Sequence, residues 1–133
     1  MEIKQDVLNK LINNSITTKQ NKYHNKKVEY DGHKFDSHKE QNRYLQLLQL
    51  EKLGIIKDLK LQVPYLLLDT IRYKGKTYSK TSYICDFQYI DVKTNKVIVE
   101  DVKSPATAKD KVYRLKIKML LSKYPEIDFE EII

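Results

Sequence analysis

A chain of 133 residues, 41% hydrophobic and 32% charged, has material for one core but too little for two ordinary domains. Its single cysteine, Cys85, excludes an internal disulfide framework and a cysteine-rich zinc site, no apolar run reaches the roughly 18 residues of a membrane helix, and the opening MEIKQDVLNK lacks the apolar core of an export signal, so a cytosolic protein without a membrane partner is expected. The net charge of +7, carried by lysine apart from Arg43, Arg72 and Arg114, favours a polyanionic partner such as nucleic acid.

Ile3, Val7, Leu8, Leu11 and Ile12 recur at helical spacing and predict a short amphipathic helix over 3–13. Residues 13–27 are polar and basic and read as an arm, so residues 1–27 are set apart from a domain over 28–133. Asp31-Gly32 within KVEYDGHKF predicts a small hairpin. Ser37 opens a helix whose apolar side is Tyr44, Leu45, Leu47, Leu48 and Leu53, and Gly54 stops it. Residues 59–69 read as a strand, with Pro64 marking an edge or a break. Lys74-Gly75-Lys76 turns the chain into a second strand over 81–91, and Thr94-Asn95-Lys96 turns it into a third over 97–103. Thr107 and Asp110 fit a capping box for a helix over about 108–124. Val112, Leu115, Met119 and Leu120 are expected to face the core there, with Lys111, Arg114 and Lys118 on another side. Ile127, Phe129 and Glu131 alternate as a last strand. The expected class is α/β in the order αβββαβ, a central mixed sheet flanked by helices behind a basic arm, closing on a right-handed parallel crossover.

The second predicted strand carries Asp86 between Cys85 and Phe87, and the third reads VEDVK. Alternation puts Asp101 and Lys103 on one face and Glu100 on the other, while the register of the hairpin decides whether Asp86 meets them. Two carboxylates and an ammonium at the ends of apolar strands are costly unless compensated, and a divalent cation compensates them. Mg²⁺ suits one or two carboxylates completed by water and phosphate oxygens. The alternative is a surface hairpin with solvated charges.

The element order, Asp86 and the Asp101-x-Lys103 pair resemble the PD-(D/E)xK nuclease superfamily, which includes restriction enzymes, Holliday-junction resolvases and transposon-end nuclease subunits. The segments FDSHKE, LKLQVPY, YICDF, VEDVKS and VYRLKIK are more closely similar to a family of small uncharacterised phage and prophage proteins, over residues 28–133. The resemblance implies a restriction-endonuclease-like core and Mg²⁺-dependent hydrolysis of DNA phosphodiesters, with Mn²⁺ expected to substitute. It implies Asp86 and Asp101 as metal ligands and Lys103 as the catalytic lysine. Glu40 matches the acid that in many such nucleases completes the cluster from the first helix, while Ser37-His38-Lys39-Glu40 is equally a capping box in which Glu40 bonds back to the Ser37 amide.

Gln62 is a candidate contact to phosphate or metal water, and Lys111, Arg114 and Lys118 are candidate phosphate contacts. Glu100 is expected to pair with a lysine, Cys85 to pack in the core, and Tyr83 and Tyr89 to pack. His24, His33 and His38 match no zinc spacing. The expected function is a phage-type DNA endonuclease acting in recombination, replication or processing, with branched DNA as one substrate suggested by analogy. A resolvase would be a homodimer. The competing readings are a non-catalytic nucleic-acid-binding or regulatory module and a subunit active only within a larger phage nucleoprotein complex.

Overall fold

The computed structural model describes residues 28–30 and 32–133, so the expected helix over 3–13 and arm over 13–27 lie outside the described residues. The elements are β1 (Val28–Tyr30), β2 (His33–Phe35), α1 (His38–Lys52), β3 (Ile56–Leu68), β4 (Ile71–Tyr73), β5 (Lys76–Tyr78), β6 (Thr81–Asp91), β7 (Val97–Val102), α2 (Pro105–Ala108), α3 (Lys111–Lys123) and β8 (Asp128–Ile132). The described residues up to Lys57 form one compact unit and Asp58–Ile133 a second.

In the first unit β1 and β2 pair antiparallel from Val28↔Phe35 to Tyr30↔His33. Gly32 takes φ +76° in the connecting turn, a conformation that glycine adopts without strain. Helix α1 starts where expected: the Ser37 Oγ accepts from the Glu40 amide at 3.1 Å, satisfying one of the free donors of the first turn. Tyr44, Leu45, Leu47 and Leu50 are buried, and the rings of Phe35 and Tyr44 lie 5.2 Å apart. Leu53 departs from the expected apolar side and is 59% exposed, because it is the C-cap and lies beyond the last helical turn.

The second unit is built on a four-stranded sheet in the order β3-β6-β7-β8. β6 and β7 pair antiparallel from Phe87↔Glu100 to Ile90↔Val97. β7 and β8 pair parallel from Ile98↔Asp128 to Val102↔Ile132, so the closing β-α-β unit has the expected parallel pairing. β3 is an edge strand, where Pro64 costs no ladder bond between two neighbours.

The sheet and α3 share a core of Leu67, Tyr83, Cys85, Val99 and Leu120, bordered by Tyr113, Ile117, Met119, Tyr124 and Phe129. The packed stripe of α3 is therefore Tyr113, Ile117, Leu120 and Tyr124, at spacings of four, three and four. Val112 and Leu115, expected inside, are 63% and 57% exposed. The two tyrosines take the inward stripe and rotate these aliphatic residues outward. The helix also starts later than expected. Ser104 and Thr107 close a reciprocal cap around the short α2, and Asp110 leaves helical geometry (ψ 131°) to cap α3 by accepting from the Tyr113 amide at 2.9 Å. The predicted pairing of Thr107 with Asp110 is thus two separate caps. At the far end of α3, the Tyr124 hydroxyl donates to the Leu66 carbonyl at 2.9 Å. Among the described residues, no helix is long and apolar enough to cross a membrane.

Candidate functional site

Regular pairing of β6 with β7 is recorded as far as Phe87↔Glu100. Beyond it, the Val102 amide donates to the Asp86 Oδ2 at 2.8 Å, so a side chain on β6 meets a backbone donor on β7. The faces of β6 also exchange along the strand. Tyr83 donates to Asp101 and Tyr89 donates to Glu100, and these two acids are adjacent on β7 and point to opposite faces. Strict alternation would have put Tyr83 and Tyr89 on one face. The irregularity between them brings Asp86 beside the end of β7.

Asp101 is 2% exposed. Its Oδ2 accepts from the Tyr83 hydroxyl at 2.5 Å, and its Oδ1 lies 3.3 Å from the Lys103 ammonium. That ion pair lacks hydrogen-bond alignment, so Oδ1 is a buried oxygen with no hydrogen bond among the described residues. An unsatisfied buried carboxylate oxygen is expensive unless a charge meets it. Burial and the neighbouring Asp101 together push the Tyr83 hydroxyl far above its ordinary value, which keeps it protonated and donating.

Lys103 is anchored at both ends. Its amide donates to the Ile132 carbonyl at 2.8 Å, and its ammonium stands 4.9 Å from the centre of the Tyr113 ring. The Tyr113 hydroxyl donates to the Glu131 Oε2 at 2.5 Å, and Glu131 sits directly opposite Asp101 across the β7–β8 ladder. Burial first, and then the bond to Glu131, raise the Tyr113 hydroxyl well above its ordinary value. Sequence reasoning missed Tyr83, Tyr113 and Glu131. Each acts through a cross-strand or helix-to-strand contact that no local spacing announces.

Gln62 reaches the site from β3 through an unusual backbone. Its φ of +54°, like that of Asp58 at +57°, is left-handed inside a strand and costs a non-glycine residue about 1 kcal/mol or more. The side-chain Nε2 lies 3.5 Å from the Asp86 Oδ1. Strain at a site of convergent polar groups is where bulges re-aim side chains.

The structure thus brings together Gln62, Asp86, Asp101 and Lys103. Lys111, Arg114 and Lys118 are exposed on α3. Arg114 and Lys118 line a groove of about 460 Å³ together with Leu115, Leu121, Tyr113 and Glu131, which links them to the tyrosine supporting Lys103. Glu40 belongs to the first unit. It is buried, and its Oε2 accepts from the Asp36 amide at 3.3 Å, one residue before the Ser37 amide of the expected capping box.

Glu100 is fully buried and accepts from Tyr89. Cys85 is buried as expected, and burial pushes its thiol up to about 11, which leaves it a packing group. His38 is exposed. Among the described residues, no three His, Cys, Asp or Glu side chains cluster as a metal cage. The donor set on offer is two carboxylates, which fits a hard cation that keeps most of its waters better than one caged by protein.

Fold and site define a mixed α/β protein whose sheet ends in a carboxylate–lysine cluster bordered by basic residues. The chain belongs to the DUF1064 family of proteins of unknown function, matched over residues 20–133. No curated protein and no solved structure matches it.

Proposed function

We propose that the chain is a Mg²⁺-dependent DNA endonuclease of PD-(D/E)xK type. The observation that carries this reading is the buried Asp101 Oδ1, unsatisfied by any hydrogen bond among the described residues and facing Lys103, with Asp86 tied to the next backbone amide. Asp86 and Asp101 would hold the metal, which supplies an activated water and neutralises charge on the scissile phosphate.

The rest of the work falls to the chain itself. Tyr83 holds one oxygen of Asp101 and leaves the other directed at Lys103. The Lys103 ammonium, fixed between Asp101 and the Tyr113 ring, stabilises negative charge as it grows on a phosphate oxygen without reorganising. The Gln62 amide orients Asp86 and adds a donor at the mouth of the site. Lys111, Arg114 and Lys118 position the backbone of the nucleic acid and carry no sequence preference.

The test is incubation of the purified protein with plasmid and with four-way junctions, with Mg²⁺ and with EDTA. Mg²⁺-dependent cutting that Asp86→Asn and Lys103→Ala both abolish supports the assignment. Cutting that survives both substitutions puts the chemistry elsewhere. DNA binding with no cutting under any condition leaves a binding module in place of an enzyme. Glu40→Gln separates the two readings of that residue: lost cutting with unchanged melting assigns it to chemistry, and unchanged cutting assigns it to the helix start.

A further inference from the structure

Between β3, which carries Gln62, and β6, which carries Asp86, the chain runs out into a second, independent hairpin. Among the described residues β4 and β5 pair only with each other, in the register Ile71↔Tyr78, Arg72↔Thr77 and Tyr73↔Lys76. The two-residue connection Lys74-Gly75 has φ of +49° and +74°, the tight turn whose twist matches a hairpin. Every residue from Leu68 to Lys80 is exposed. Ile71, Tyr73 and Tyr78 share one face with Lys76, the Lys74 ammonium lies 5.4 Å from the centre of the Tyr73 ring, and the three apolar side chains are 57%, 61% and 55% exposed, more than an ordinary hairpin leaves in water.

Charge argues for what covers it. Residues 69–80 hold Arg72, Lys74, Lys76 and Lys80 against one acid, Asp69. Four cations on so small a ribbon repel a second copy of the same hairpin and suit a polyanion. The direction of the strands places the ribbon. β7 runs antiparallel to β6, so its C-terminal end, with Asp101 and Lys103, points towards the start of β6, from which the hairpin leaves. Along the chain, Gly75 at the turn and Asp86 are eleven residues apart, a span of at most about 37 Å, or about eleven base pairs. Two strands about 5 Å apart fit the roughly 12 Å major groove, which admits a two-stranded ribbon.

We infer that the β4–β5 hairpin is a DNA-binding finger that enters a groove of duplex DNA beside the cutting site, with Arg72, Lys74 and Lys76 on phosphates and Ile71, Tyr73 and Tyr78 against base edges and sugars. This rests on the nuclease reading for its choice of partner.

The test is fluorescence anisotropy of a labelled 30-base-pair duplex with the full chain in EDTA, across a salt series. A triple variant, Arg72→Thr, Lys74→Asn and Lys76→Thr, removes three charges while keeping strand-forming residues and improving the turn, so the hairpin is retained. Its affinity is expected to fall on the order of ten-fold or more, and the slope of log affinity against log salt to fall by about 3. Tyr73→Ser with Tyr78→Ser is expected to weaken binding on the order of ten-fold with the slope unchanged. A triple variant that binds with the affinity and slope of the parent overturns the finger. If the parent still cuts DNA with Mg²⁺, the nuclease reading survives that result. A parent that binds no duplex at all overturns the finger, and the cutting assay then judges the enzyme separately.

Discussion

Two acids stand side by side on β7, and only one belongs to the candidate site. Glu100 and Asp101 are both buried to within 2% of full enclosure, and each accepts a hydrogen bond from a tyrosine on β6. Glu100 lies opposite Phe87 and near Ile98 and Tyr89, all buried. Asp101 shares its face with Lys103, whose side chain keeps 29% of its exposure, and stands one residue from the amide that holds Asp86. Burial plus a tyrosine therefore does not by itself single out the acid of the candidate site. What distinguishes Asp101 is a buried oxygen that makes no hydrogen bond among the described residues and faces a part-exposed cation. The sharpest way to break this comparison is to neutralise each acid in turn. Asp101→Asn should lower Mg²⁺-dependent cutting by at least about 100-fold, as loss of a preorganised electrostatic group does. Glu100→Gln should leave cutting within a few fold. Equal losses from both, measured on supercoiled plasmid, would dissolve the distinction.

Titration of the Cys85 thiol with alkali probes the Asp101 face. The Cys85 thiol is pushed up to about 11, from an ordinary 9.0, chiefly by burial, with Asp86 and Asp101 adding and a backbone hydrogen bond from Val63 opposing. The folded protein therefore keeps a proton that the unfolded chain gives up. The stability so gained is fully present below pH 9 and disappears as pH rises from 9 through 11, about 3 kcal/mol in all. Chemical denaturation at pH 8, 9, 10 and 11 should show this decline, and Cys85→Ala should flatten the part of it that begins near pH 9. Asp101→Asn should move the thiol's reaction with an alkylating reagent to lower pH, whereas Glu100→Gln should not. A Cys85→Ala curve parallel to the parent's would mean that the thiol is not held as described.

The tyrosines extend the comparison at smaller scale. Tyr83→Phe and Tyr89→Phe each strip the donor from a buried carboxylate, and each should cost about 1–3 kcal/mol in urea denaturation. Only Tyr83→Phe should also slow cutting, because only its acceptor belongs to the cluster. Slowed cutting in the Tyr89 variant would extend the site through the sheet to the Glu100 face.

Much of this was legible in the sequence, and what was not has physical reasons. Ser37 and Gly54 announce α1 because capping is local chemistry, and the turns at Lys74-Gly75-Lys76 and Thr94-Asn95-Lys96 announce β6 and β7 as the apolar runs that follow them. Asp86, Asp101 and Lys103 were visible as residue types on adjacent strands. Their meeting was not, because it depends on a face change between Tyr83 and Tyr89 and on a left-handed Gln62, and neither leaves a mark in the pattern. The β4–β5 hairpin shows only as a turn, since strands exposed on both faces have no buried side to create alternation. The orientation of α3 was misread because apolar residues occur on more than one of its faces, and the ring stripe of Tyr113 and Tyr124 outweighs Val112 and Leu115 for the interior.

The finest difference between the two acids lies one step further out, in what holds the lysine. Tyr113 offers Lys103 a ring face at 4.9 Å, and the Glu131 carboxylate pins that ring by its hydroxyl. A part-exposed contact of this kind contributes about 0.5–1 kcal/mol, so Tyr113→Leu should slow cutting only about 2- to 5-fold. Tyr113→Phe keeps the ring and gives up only its tether, and should fall between the leucine variant and the parent. A purely structural tyrosine would lower stability in both variants without touching the lysine, so the deciding readout is the rate at which an amine reagent acylates Lys103, followed by mass spectrometry. Removing the ring should raise that rate in the leucine variant and barely change it in the phenylalanine variant. If both variants acylate and cut like the parent, Asp101 alone positions the ammonium, and the distinction between the two acids ends at the ion pair.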